Sequence, residues 1–431
     1  MRETFYERIG ESCQREKLGN GLTVCVVPKP GYRRKYAFFA ARYGGMDTRF
    51  CLDGTWRDTP AGIAHYLEHK MFDTKDGSAM QDLAKNGAEP NAFTASSLTG
   101  YYFDCTEHFE ENLKILLRFV SVPYFTQESV DKERGIIAQE IRMVEDNPDW
   151  QIYQQLLQAL YVRHASRVPI AGTVESIAEI TPQTLYDCHK AFYTPANMVL
   201  TVVGDVRPDR VFEAAERILP AESGPDIERD YGDEPEAIHQ KEVTRQMEVS
   251  APQFLLGFKC PPPERGESGY RTELLGDLAW DILLGESSPL YQRLYENGTI
   301  NGSFGGAFDT LPGAACLYAG GDCREPRKVA EAILRETERL QTDGIDPDYW
   351  QRMRRAAFGS TLRGLNSFEN IAVGLAEGCF QGYDAFRFPR VYESIQPEDV
   401  LAFLRQNVRE ERMALSRILP GQEQEKEGTD A

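Results

Sequence analysis

Two rhythms of apolar residues alternate along the chain, one with the period of a strand and one with that of a helix. Leu18 to Pro28, LGNGLTVCVVP, sets a β-branched run after an Asn20-Gly21 turn signal, which predicts a hairpin or the start of a strand. A second strand is predicted from Tyr36 to Tyr43, two more within Ala92 to Cys105 as AFTASS and GYYFDC, and another at Met198–Gly204. Helical spacing intervenes between them. Leu113, Leu116, Leu117 and Val120 recur at that period in Glu110–Ser121, and Ile136, Ile137, Ile141 and Val144 are the apolar positions of a long amphipathic helix, Thr126–Glu145, that ends before Pro148. Ser78–Lys85 reads as a short helix closed by Asn86-Gly87, and Thr59-Pro60 as the N-cap and first position of a helix running through Ala61–Phe72.

Past Ala221–Gln240 the pattern starts again. Gln253–Cys260 reads as a strand, Tyr270–Leu284 as a helix, CLYAGGDC as a strand, and Pro326–Thr342 and Asp346–Leu365 as helices. HFEENLKILLRFVSVPYFTQESVDKER in the first half lines up with EPRKVAEAILRETERLQTDGIDPDYWQRM in the second, and TPQTLYDCHKAFYTPANMVLTVVG with QPEDVLAFLRQNVREERMALSRIL. This is a tandem duplication of one α+β unit, a mainly antiparallel sheet covered by helices. The expected organisation is a catalytic unit over 1–222, an acidic linker over 223–240, a homologous unit over 241–420 and an acidic flexible tail over 421–431. In that register Trp280, Leu283 and Leu284 stand opposite His65, Glu68 and His69, so the second copy has lost whatever chemistry those three residues carry.

Composition narrows the class. A chain of 431 residues, 41% hydrophobic and 27% charged, is too long for one core and reads as globular. The net charge of −19 argues against nucleic acid, which needs clustered Lys and Arg. Nearly half of it is local, because Ala221–Gln240 holds seven acids against one Arg and Gly421–Ala431 four acids against one Lys. The first residues carry no apolar leader and no run is long enough to span a bilayer, which predicts a cytoplasmic protein without a membrane partner. Nine cysteines without C-x-x-C spacing fit scattered thiols rather than a disulfide framework.

The chemistry-bearing stretch is Ala61–Phe72, which contains His65-Tyr66-Leu67-Glu68-His69, an H-x-x-E-H string. With about 100° per residue, His69 lies about 40° and Glu68 about −60° from His65, so the three share one arc and Tyr66 and Leu67 point away to pack. Two imidazoles one turn apart can hold zinc, and a carboxylate on the same arc can reach a water on that metal. An amphipathic helix whose histidines are merely hydrogen-bonded would carry the same residues, so a further ligand decides. Glu133 and Glu140, two turns apart on one face of the long helix, are the carboxylates that could supply it.

HYLEHKMF followed about seventy residues later by KERGIIAQEI resembles the insulinase and pitrilysin (M16) family of inverted zincins, and in particular its short bacterial members. The NGLTV opening, the NAFT segment and the duplicated unit extend the resemblance over nearly the whole chain. It implies a zinc metalloendopeptidase in which His65, His69 and Glu140 bind Zn2+, Glu133 orients a ligand and Glu68 is the general base. It implies also that a peptide or unfolded protein segment adds as a strand near Asn91, Ala92, Phe93 and Thr94. Two units close no chamber, so a homodimer, or a heterodimer with a paralogue lacking the motif, is expected. Active relatives place an Arg and a Tyr in the second half, whereas SPLYQRLYENGTINGSF here has Arg293 two positions off, so those roles are not carried over. A processing protease dedicated to one peptide or protein, or a non-catalytic scaffold subunit, are the alternatives; the intact H-x-x-E-H opposes the second.

Overall fold

The computed structural model describes residues 2–421 and contains two sheets of matching design. In the first, the strands run in the order Arg2–Tyr6, Glu11–Lys17, Thr23–Pro28, Met198–Gly204, Lys35–Ala41, Thr99–Cys105 and Ala88–Thr94. The second follows Glu242–Met247, Met413–Pro420, Gln253–Cys260, Ala314–Asp322 and Gly305–Leu311. Removing the first two strands of the first sheet leaves the same order in both, with one parallel pair followed by three antiparallel pairs. The duplication therefore holds at the level of strand direction as well as order.

Lys35–Ala41, KYAFFAA, is buried at six of its seven positions, with no alternation. A continuous apolar strand of this kind demands cover on both faces of its sheet. On the front, helices Ile63–Met71, Phe109–Ser121, Gln127–Glu145 and Pro182–Phe192 close the first core through residues such as Leu67, Leu116, Ile137 and Leu185. The back cover comes from the other unit. Helix Phe368–Gln381 seats Phe368, Ile371, Ala372, Leu375 and Ala376 against Val27, Phe38, Ala40 and Val203 of the first sheet. Helix Pro148–Leu160 does the reverse, setting Leu156, Leu157 and Leu160 against the second sheet, where Gly257 lacks the Cβ that would come 2.9 Å from Leu156. Burial of each large apolar side chain contributes about 1.5–3 kcal/mol, so this reciprocal exchange is a major bond between the units.

Ala221–Gln240, expected to be a flexible acidic linker, is instead pinned along its length. Ile227–Arg229 pairs antiparallel with Arg49–Leu52, and the Arg229 guanidinium meets Asp47 at 3.0 Å in a buried ion pair. The Glu234 carboxylate accepts the backbone N–H groups of Val162, Arg163 and His164 at 2.7–2.8 Å and pairs with the buried ammonium of Lys259. The acids counted as solvated charge are thus in part structural. The strands Arg2–Tyr6 and Glu11–Lys17 were not expected either, because their apolar positions are too sparse to show a period. The expected tail lies, apart from Gly421, outside the described residues.

Desolvation pushes the Glu234 pKa up, but Lys259 and the three amide donors outweigh it and hold the group below the usual carboxylate range. Burial lowers the Lys259 pKa against the pull of Glu234, so the favourable balance lies on the carboxylate, which alone collects the amides. A group depressed in the folded state stabilises above its unfolded pKa, about 4.3, and that contribution is lost as pH falls through the folded value. Glu234→Gln should cost about 3–5 kcal/mol in chemical denaturation at pH 7, and the gap from the parent chain should narrow below pH about 4.

Candidate metal centre

The motif helix starts at Ile63, with Gly62 rather than Thr59 at its N-cap. The physical reason is a close approach: Gly62 has φ 87°, and a Cβ there would come 2.4 Å from the Ala171 carbonyl oxygen. Thr59 is engaged elsewhere, with its hydroxyl donating to the Thr48 carbonyl at 3.1 Å. From this start the helix turns Tyr66 and Leu67 wholly into the core and brings His65, Glu68 and His69 to one edge. The Tyr66 hydroxyl donates to the Val130 carbonyl, which clips the motif helix to the first turn of Gln127–Glu145. That second helix is itself fixed at its start by a capping box between Thr126 and Ser129.

This contact fixes the relation of the two donor sets. Nε2 of His65 lies 3.4 Å from one oxygen of Glu140, and Nε2 of His69 lies 3.5 Å from the other. The two imidazoles stand 4.7 Å apart at 63°. One ligand atom from each of His65, His69 and Glu140 falls within 4.8 Å of the others. Ligands about 2.0–2.1 Å from a tetrahedral zinc ion are about 3.4 Å from one another, so this donor set fits that ion in both type and separation.

Glu133, two turns earlier on the same face, meets Nδ1 of His69 at 3.0 Å. That contact engages one nitrogen of His69 and leaves Nε2 directed toward Glu140. Its other oxygen lies 4.0 Å from the buried Lys70, whose ammonium also pairs with Asp73. The His69 hydrogen bond is the chief reason the Glu133 carboxyl titrates below its usual range, just as the contact with His65 lowers Glu140. Burial disfavours charge on His69, yet the surrounding carboxylates outweigh it and raise the ring's pKa.

Glu68 is set apart from this group. It is 8% exposed, burial raises its pKa, and one oxygen accepts the Thr94 hydroxyl at 2.8 Å. Thr94 closes the strand Ala88–Thr94, which occupies one end of the first sheet and pairs only with Thr99–Cys105 among the described residues. Of the four positions expected to meet substrate, Asn91 is exposed, Ala92 packs on the front core and Phe93 stacks on Phe38 at the back. The Thr94 side chain serves Glu68, a contact that sequence spacing does not reveal.

A cavity of about 400 Å³ opens beside His65 and Glu140, walled by Ile141, Trp150 and Gln155 and by Leu311 from the second unit. At its wall, Gln155 is 7% exposed, with no hydrogen-bond partner for either amide atom among the described residues. This cavity was not legible beforehand, because it needs the helix exchange to bring Leu311 near.

Comparison with known proteins identifies the family of the chain. Residues 54–174 match the model described as insulinase, peptidase family M16, and residues 179–357 match that described as the peptidase M16 inactive domain. A Bacillus subtilis protein named as the uncharacterized zinc protease YmfH is 38% identical over 96% of this chain and 98% of its own length. The chain belongs to peptidase family M16. Another B. subtilis relative, named as the uncharacterized zinc protease YmxG, is 27% identical over 73% of this chain and 77% of its own. A solved putative M16-like peptidase from Alicyclobacillus acidocaldarius superposes with a TM-score of 0.91 at 32% identity, over 95% of this chain and 99% of that one. A protease from Helicobacter pylori shares the fold, with a TM-score of 0.81 at 18% identity over 95% of this chain and 99% of that one.

The second unit has the corresponding helix, Glu267–Leu284, without His65, Glu68 and His69 or equivalents of them. Trp280, Leu283 and Leu284 are buried in its core, and the hydrogen bond between the two helices runs the opposite way from that in the first unit: Tyr349, on the later helix Pro347–Gly364, donates its hydroxyl to the Ile282 carbonyl. Arg293 is committed to Glu336 at 2.7 Å.

Removing the carboxylate that steadies His69 gives a direct check. Glu133→Ala should weaken zinc binding roughly 10–100-fold in a chelator-competition titration, with helix content unchanged.

Proposed function

We propose that the chain is a zinc metalloendopeptidase acting on extended peptides or unfolded protein segments. The observation that carries this reading is the convergence of His65, His69 and Glu140 within 4.8 Å, with Glu68 beside them but outside the donor set. His65, His69 and Glu140 would hold the metal, and Glu133 would orient His69. Bound there, zinc supplies Lewis-acid polarisation of the scissile carbonyl and makes water more acidic.

The chain's own residues do the rest. Glu68 takes the proton of the attacking water and returns it to the leaving amine, a task open to a carboxylate and closed to an amide. The hydrogen bond from Thr94 holds the carboxylate in place for both transfers. A substrate backbone added to the free edge of Ala88–Thr94 would run past Glu68, pairing through main-chain groups and so tolerating many sequences. One substrate side chain would enter the cavity between Trp150 and Leu311. Ile136 and Met143 on the helix that carries Glu133 and Glu140, and Trp150 on the next helix, are exposed, and such unburied apolar side chains support a covering partner, a second copy or a paralogue without the motif.

The Glu68→Gln variant separates binding from chemistry. It should retain about one zinc per chain by metal analysis, while cleavage of a quenched peptide library, alone or with the partner, falls by about 10²–10⁴-fold. Full cleavage in that variant removes Glu68 from the mechanism, and absence of both zinc and cleavage from the parent chain in every combination would assign it to the scaffold class.

A further inference from the structure

Three thiols from three elements meet far from the metal centre, where the exchanged helix of the second unit lies on the first sheet. Cys13 is on Glu11–Lys17, Cys25 on the neighbouring strand Thr23–Pro28, and Cys379 on helix Phe368–Gln381. The sulfurs of Cys25 and Cys379 are 3.9 Å apart, although 354 positions separate the residues in the chain. Cys13 adjoins Cys25. Cys13 and Cys379 line an open surface cavity of about 510 Å³, together with Arg15, Tyr6 and Asp384.

We propose that Cys13, Cys25 and Cys379 form a peroxide-responsive thiol site whose oxidation joins Cys25 to Cys379, covalently fastening the second unit's helix to the first unit's sheet. Nothing in the metal chemistry uses these residues. The oxidant is a hydroperoxide, small enough to enter the cavity. The sulfur distance must close from 3.9 Å to the bonded value of about 2.05 Å. Cys379 is only partly buried and sits near the end of its helix, three residues before the left-handed Gly382, so the adjustment is confined to a helix terminus.

Cys13 is the thiol fitted to react first. Contact with the Cys25 thiol lowers its pKa, burial opposes this, and the nearby Arg15 guanidinium adds to the lowering, whereas Cys25 is pushed up to about 12. The Cys13 thiolate attacks one peroxide oxygen, the O–O bond breaks, and hydroxide leaves to become water, giving a sulfenic acid. The Cys25 sulfur then attacks the Cys13 sulfur, the S–O bond breaks, and a second water leaves with the Cys25 proton. Cys379 finally attacks the Cys25 sulfur and releases Cys13 as a thiol, which takes up the Cys379 proton. In sum, two thiols are oxidised to one disulfide and one hydrogen peroxide is reduced to two waters.

The test uses the full, zinc-loaded chain titrated with hydrogen peroxide, followed by non-reducing digestion and mass mapping. The expected product is a Cys25–Cys379 bridge, reversed by dithiothreitol, with a higher thermal unfolding midpoint in the oxidised sample. Cys379→Ser should keep the midpoint of the reduced parent and lose both the bridge and the upward shift. Cys13→Ser should form the bridge roughly tenfold more slowly. Cys51→Ser, at a half-buried thiol outside the cluster, should behave as the parent chain. A final Cys13–Cys25 bridge, sulfinic acid without any bridge, or an equal midpoint shift in Cys379→Ser overturns the proposal; an unchanged rate in Cys13→Ser overturns the route through Cys13.

Discussion

Everything at the candidate centre depends on one contact between helices that lie far apart in the chain. Ile63–Met71 offers two imidazoles and Gln127–Glu145 offers two carboxylates, and neither set is a ligand group alone. Their relative position is set from the opposite, apolar side, where Leu67 and Ile137 are fully buried in one core. The Tyr66 hydroxyl on the Val130 carbonyl then fixes how far one helix can slide along the other. A shift of one residue there would carry Glu140 about 1.5 Å along its axis and turn it about 100° away from the histidines. Gly62 has a similar role at the other end, because its close approach to Ala171 determines where the first helix begins.

The same helix framework, with its polar edge replaced, forms the second unit. Trp280, Leu283 and Leu284 bury themselves where the first unit presents donors, and this substitution costs the fold nothing because the helix is held from its apolar side in both cases. One copy can therefore drift to a structural role while its strand order persists. What the second unit supplies to the first is concrete: the back cover of the sheet and Leu311 in the wall of the cavity next to His65 and Glu140.

Much of this was legible in the residues. The period of Glu110–Ser121, the β-branched and apolar runs of the strands and the echo between the halves predicted elements whose bounds differ from the structure by only a few residues. Helical geometry put His65, Glu68 and His69 on one arc and Glu133 and Glu140 on one face, but only the resemblance to the M16 family singled out Glu140 as the third ligand, because the meeting of the two helices is tertiary. Other features had no local signal. The helix exchange was hidden because Pro148–Leu160 and Phe368–Gln381 look like ordinary amphipathic helices, and periodicity says that a face is buried without saying against which sheet. The order of 221–240 was hidden because acidic, Gly- and Pro-rich composition is shared by linkers and by straps, and what distinguishes them lies elsewhere in the chain: Arg49–Leu52, Asp47, Lys259 and the amides of 162–164.

The exchange also bears on how the chain acquires its form. In synthesis from the amino terminus, the first sheet can be complete once Met198–Gly204 has emerged, yet the helix that covers its back, Phe368–Gln381, follows more than 160 residues later. Until then Val27, Phe38 and Ala40 have no cover, and a nascent first unit displays an apolar surface of the kind that recruits chaperones or aggregates. Closure of that long loop is slow and entropically costly compared with local pairing. The first half thus matures only when the second half arrives, and an isolated first half is not a shorter version of the protein but an incomplete one.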